Sequence, residues 1–113
     1  MHELSLCEGV LQVLEDSART QGYTRVKTVW LEIGCLSGVE VEAMRFGFDV
    51  VTNGTLAVDA RLEVIEVPGE AWCMRCSKTV SIAQRFDACP DCGSYQLQVT
   101  GGDEMKIKEL EVE

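Results

Sequence analysis

Cys7, Val10, Leu11, Leu14 and Ala18 recur at the three-and-four spacing that puts apolar side chains on one face of a helix. Ser5-Leu6-Cys7-Glu8, just before them, has the form of a capping box, in which hydroxyl and carboxylate satisfy free N–H groups of the first turn. The pattern predicts a helix over about Leu6 to Gln21, stopping at Gly22 and leaving Met1 to Leu4 as an extended arm. Arg25 to Ile33 is rich in Val, Thr, Trp and Ile and predicts a strand ending at Gly34. A second box, Ser37-Gly38-Val39-Glu40, precedes Val41, Met44, Phe48 and Val51, which share one helical face up to Asn53-Gly54. Arg61 to Val67 alternates as a strand with at least one buried face, and Pro68-Gly69 breaks it. In the tail, Glu104 to Val112, apolar positions shift phase between Met105/Ile107 and Leu110/Val112, the pattern of a strand with a bulge.

The elements run helix, strand, helix, strand, cysteine segment, strand. The last strand is too short and apolar to stand alone, so it is expected to return to the first sheet. The fold class is therefore α+β: two helices packed on one face of a small three-stranded sheet, with an inserted zinc-ribbon-like four-cysteine module. In domain terms, residues 1–69 with the C-terminal stretch 96–113 form one domain, and 70–95 form the module.

Composition narrows the function classes. The 113 residues are 46% hydrophobic and 26% charged, as in a folded globular protein. No apolar run approaches the roughly 18 residues of a membrane helix. Met1-His2-Glu3 does not open a basic-then-apolar export signal, so a reducing cytoplasm is the expected compartment. The net charge of -9 disfavours a phosphate backbone as partner. Within 70–95 Arg75, Lys78 and Arg85 balance Glu70, Asp87 and Asp91, so the negative excess lies in the rest of the chain and neither part offers a basic patch.

Cys73-x-x-Cys76 and Cys89-x-x-Cys92 stand twelve residues apart and present four thiolates from two turns, the ligand set of tetrahedral zinc. Pro90 stiffens the second turn, and Gly93 permits a positive φ that turns N–H groups toward sulfur. Trp72, Val80, Ile82 and Phe86 are the only substantial apolar residues nearby, so metal must supply much of the module's folding free energy. Iron in a rubredoxin-like site would use the same sulfurs. Disulfides would need an oxidising compartment, and a thioredoxin-type centre needs one such pair, not two. Cys7, on the helix stripe, and Cys35, after a buried strand, read as small hydrophobes.

The only histidine is residue 2. The Met1 amine, the His2 amide nitrogen and the His2 Nδ1 can close fused five- and six-membered chelate rings on one ion, a set favouring square-planar Ni(II) or Cu(II). The ordinary alternative is a solvated terminal histidine. Glu3 likewise reads as a surface charge favoured near a helix N-terminus, and Glu40 as the second member of its capping box.

Met1-His2-Glu3-Leu4-Ser5-Leu6, then Trp30-Leu31-Glu32-Ile33-Gly34, then paired CxxC motifs with Cys-Pro-x-Cys, resemble the HypA/HybF family of hydrogenase nickel-insertion proteins. The similarity extends to Glu111-Val112-Glu113. The resemblance implies transferable Ni(II) at Met1, His2 and Glu3, structural Zn(II) at Cys73, Cys76, Cys89 and Cys92, and Glu40 as a further nickel ligand in some members. It implies a non-enzymatic carrier working with a nickel-insertion GTPase of the HypB type and the large subunit of a [NiFe] hydrogenase. No nucleic acid or membrane is expected as partner, and the chain is expected to be a monomer or weak homodimer. The competing readings are a zinc-ribbon protein adaptor, a nucleic-acid binder and a thiol oxidoreductase.

Overall fold

The computed structural model describes residues 2–113 and contains two compact units. The first comprises residues up to Leu31, Glu40–Val64 and Ile107–Glu113. The second comprises Glu32–Val39 and Ile65–Lys106.

In the first unit, α1 (His2–Gln21) turns Cys7, Val10 and Leu14 inward, and α2 (Val41–Thr52) turns in Met44 and Phe48. β1 (Val26–Gly34) lies between β2 (Arg61–Val67) and β6 (Met105–Val112) in a three-stranded sheet. Val26, Val29 and Leu31 of β1 are fully buried with Leu14 and Met44. Each such side chain contributes about 1.5–3 kcal/mol on burial. Cys7 fits between the helices: its Sγ donates to the Met44 carbonyl at 3.3 Å, and a Cβ on Gly47 would stand 3.0 Å from it. Thr28 of β1 is also buried, and its hydroxyl donates to the Glu111 carboxylate at 2.7 Å.

The bond from Cys35 N–H to the Val67 carbonyl joins the carboxyl ends of β1 and β2, which run parallel through the α2 crossover. β6 returns antiparallel. Glu113 exchanges bonds with Arg25 at one end, and Gly34 N–H donates to Glu104 at the other. These end bonds hold one register. The burial phase nevertheless slips within both strands, between Val26 and Val29 in β1 and between Ile107 and Leu110 in β6, so the irregularity in one strand is offset in the other.

Both predicted capping boxes are absent. α1 starts at His2, so residues 2–4 are helical rather than an extended arm, and Ser5 and Glu8 sit exposed within its first turns. The reason is tertiary: Leu4 packs over Gly47, and the Glu3 carboxylate accepts the N–H of Glu40 at 3.2 Å. At the second helix, Ser37 Oγ donates to the Gly34 carbonyl at 2.6 Å and accepts from Val39 N–H, forming a turn. Glu40 is the N-cap in extended conformation but makes no side-chain cap bond.

The second unit holds a sheet that the sequence pattern did not predict. β3 (Gly69–Cys73) lies between β4 (Lys78–Ile82) and β5 (Leu97–Gly101), antiparallel to both. Ala71, Cys73, Val80, Ile82 and Cys89 bury together with Leu36. Backbones meet so closely at Gly34, Gly69 and Gly102 that a Cβ on Gly34 would overlap the Gly102 carbonyl, and one on Gly102 the Pro68 carbonyl. No helix among the described residues is long and apolar enough to cross a membrane.

Candidate functional site

Cys73 ends β3, Cys76 lies in the β3–β4 turn, and Cys89 and Cys92 flank the turn before β5. Their sulfurs all lie within 4.8 Å of one another, with Cys73–Cys92 at 3.7 Å and Cys76–Cys89 at 3.9 Å. In a tetrahedral site with Zn–S of about 2.3 Å, sulfurs stand about 3.8 Å apart, which the Cys73–Cys92 and Cys76–Cys89 pairs match. Cys73 and Cys89 are buried, Cys76 and Cys92 half-buried.

Main-chain donors complete the geometry. Cys76 N–H points to Cys73 Sγ at 3.3 Å, and Asp91 N–H to Cys89 Sγ at 3.4 Å. Gly93 has the expected positive φ of 76°, but its N–H closes the turn on the Cys89 carbonyl and does not reach a sulfur. The Cys76 N–H brings the Cys73 thiol down to about 7. The Cys92 sulfur, then burial, push the Cys76 thiol up to about 12. Cys73 is thus poised to lose its proton, whereas Cys76 keeps its own until a cation neutralises it. Outside the quartet, Lys78 pairs with Asp91 at 2.5 Å and ties the start of β4 to the second turn.

At the other candidate centre, Met1 lies outside the described residues. His2 is exposed in the first turn of α1, with Nδ1 3.7 Å from Glu3 Oε2. The N–H groups of a helix's first turn have no carbonyl partner within the helix. The His2 nitrogen thus has no carbonyl partner within the helix because it opens α1, not because a cap keeps it out of the helix. The bond to Glu40 N–H, then Glu3's own N–H, hold the Glu3 carboxyl below the usual carboxylate range. Glu40 meets Glu3 through its main chain. Among the described residues, the cysteine quartet is the only convergence of three or more Cys, His, Asp or Glu ligand atoms.

Cys7 and Cys35 stay apart from both centres. Cys7 is buried as expected, and burial pushes its thiol up. Cys35 is instead exposed, since it leaves β1 at a turn, with its Sγ 3.9 Å from the Ile82 carbonyl.

Comparison with known proteins identifies the family and the fold. The family described as "Hydrogenase/urease nickel incorporation, metallochaperone, hypA" matches residues 1–112. Hydrogenase maturation factors HypA from Alkalilimnicola ehrlichii and Albidiferax ferrireducens are each 63% identical, and that from Rhodopseudomonas palustris is 60% identical. In all three the match covers 100% of both chains. The solution structure of the Ni metallochaperone HypA from Helicobacter pylori superposes with a TM-score of 0.70 at 24% identity, covering 97% of this chain and 96% of that one. A second HypA solution structure gives 0.73 at 24% identity, covering 99% and 96%. These two likenesses establish the fold.

Proposed function

The chain belongs to the HypA family of nickel-incorporation metallochaperones, whose task is metal incorporation and not catalysis, and we propose that it carries Ni(II) at its amino terminus. Met1, His2 and Glu3 are the ligands of this reading, with Glu40 as an additional carboxylate, and Cys73, Cys76, Cys89 and Cys92 hold Zn(II). The ion is cargo. It is taken up at an exposed helix start and leaves by ligand exchange to a nickel-insertion GTPase of the HypB type and the large subunit of a [NiFe] hydrogenase, in the cytoplasm.

The observation that carries the reading is the position of His2 at the opening of α1. There its amide nitrogen has no helical carbonyl partner and its side chain is exposed beside the Glu3 carboxylate. Amide nitrogen and imidazole favour a square-planar ion. An exposed start permits handover, which the half-closed sulfur quartet does not. Zinc at the quartet stabilises the second unit, because four thiolates matched to one ion offset a small apolar core.

The test is nickel calorimetry on zinc-loaded protein with native Met1, His2→Ala, and a variant bearing one glycine before Met1. Both altered proteins should lose tight nickel binding while keeping one equivalent of zinc. Unchanged nickel binding in both would place the ion elsewhere and leave a zinc-ribbon adaptor as the better description.

A further inference from the structure

The two edges of the second sheet differ. β4 starts with a lysine that is paired to Asp91, the kind of charge that keeps edge strands from recruiting other chains. β5 reads Leu-Gln-Val-Thr-Gly, with no charge and no proline. Met74 N–H donates to the Gln96 carbonyl, and the register pairs Trp72 with Gln98 and Ala71 with Val99. In an antiparallel ladder bonded pairs alternate, so the N–H and C=O of Val99 point away from β3. Among the described residues no other main-chain group bonds to residues 98–100.

Two hollows of opposite character adjoin this strand. One, of about 120 Å³, has Ile82, Leu97 and Val99 as apolar lining, with Phe86 and Tyr95 beside them. Phe86 is 91% exposed and Tyr95 76% exposed. Phe86 also has φ +70°, a costly conformation for an aromatic residue, maintained by the Asp87 carboxylate accepting the N–H groups of Ala83 and Gln84. A strained backbone that presents an aromatic side chain to water is a recurrent mark of a binding surface. The second hollow, of about 230 Å³, is lined by Thr100 and Gly101 together with Glu32, Asp103 and Glu104. Its one cation, Lys106, is engaged with Glu32 at 3.9 Å. The net character there is acidic.

We infer that β5 is a docking edge for an extended segment of a partner protein, one that adds a strand beside Val99, seats an apolar side chain between Phe86 and Tyr95, and offers a basic residue to Asp103 and Glu104. An unguarded edge supplies main-chain bonds, and the two hollows supply side-chain selectivity. The acidic end selects a cationic segment over an anionic one and opposes self-pairing of two negatively charged chains. None of these residues is a proposed nickel ligand, so the test does not depend on that reading.

The probe is a short fluorescein-labelled peptide of alternating valine and threonine with a lysine at each end, titrated onto full-length zinc-loaded protein by fluorescence polarisation. A control peptide ends in glutamates instead. The lysine peptide should bind roughly tenfold more tightly than the glutamate one, and Asp103→Lys with Glu104→Lys should invert that preference. Phe86→Ala removes an exposed side chain, leaves the core intact and should weaken binding roughly fivefold. Val99→Pro, which removes the edge N–H, should abolish it, and His2→Ala should bind the peptide as the native chain does. Equal binding of the two peptides, or binding indifferent to both Phe86→Ala and the charge reversal, would overturn the inference. Dimerisation through β5 without peptide binding would overturn it as well.

Discussion

The carboxylate of Glu3 accepts a hydrogen bond from the main-chain N–H of Glu40, 3.2 Å away, and so couples the opening turn of α1 to the N-cap of α2. A residue proposed to ligate nickel is thus also a fastener between two helix starts. If nickel draws the Glu3 carboxylate away, Glu40 N–H loses its partner. Uptake should therefore perturb the amide resonance of Glu40, which an NMR titration with nickel would follow.

The same bond makes a pH prediction. Because the folded state holds the Glu3 carboxyl below its ordinary value of 4.5, its stabilising effect is fully present above that value and disappears as pH falls through the lowered one. In nickel-free protein, Glu3→Gln should melt at a lower temperature than the native chain at neutral pH. The two should converge in acid, below the ordinary carboxylate range. A gap that stays constant with pH would mean that the charge of Glu3 contributes nothing.

Glycine substitutions should separate by backbone environment. Gly34→Ala places a methyl group on the Gly102 carbonyl, and the cost should be about 3 kcal/mol, near the upper end for overpacking. Gly9→Ala, in α1 with nothing within 4 Å of the new Cβ, should stabilise by about 0.8 kcal/mol. Urea unfolding of the two variants would measure both.

Thiol chemistry should distinguish the six cysteines. With zinc bound, an alkylating reagent should modify exposed Cys35 first, while Cys7, buried and with its thiol pushed up by burial, should react only on unfolding. Peptide mapping by mass spectrometry would read the order. Early modification of Cys7 would contradict its packing against Met44.

Stripping the metal should act mainly on the second unit. A strong chelator should broaden or scatter the amide signals of residues 69–101, whose core is small, while the signals of α1 and α2 persist. Restoring one equivalent of zinc should restore them.

Much of the fold was legible because burial and periodicity coincide. Arg61 to Val67 is a strand over the bounds its alternation predicts, and α2 begins at Val41 as its stripe requires. The cysteine spacing likewise anticipates the convergence of the four sulfurs. The start of α1 was misplaced because Ser5-x-x-Glu8 is a local signal, whereas the contacts that extend the helix to His2 come from Gly47 and Glu40, far along the chain. β3, β4 and β5 escaped notice because each has only five residues and their outward positions are Trp72, Thr79 and Gln98. Their order is imposed by the turns that gather the cysteines, which propensity does not register. Phe86 offered no warning of its exposure, since an aromatic residue reads as core until its backbone conformation is known.

β1 is the central strand of its sheet, and its neighbour β6 is the last element of the chain. During synthesis, then, the ribosome releases α1, β1, α2 and β2 well before the strand that completes their sheet. The whole cysteine segment emerges in between. Until residues 105–112 appear, one edge of β1 is open to any passing strand, including that of another nascent chain. The second sheet, by contrast, has all three strands once Gly101 is made. The sheet whose central strand is made early is thus the one completed last.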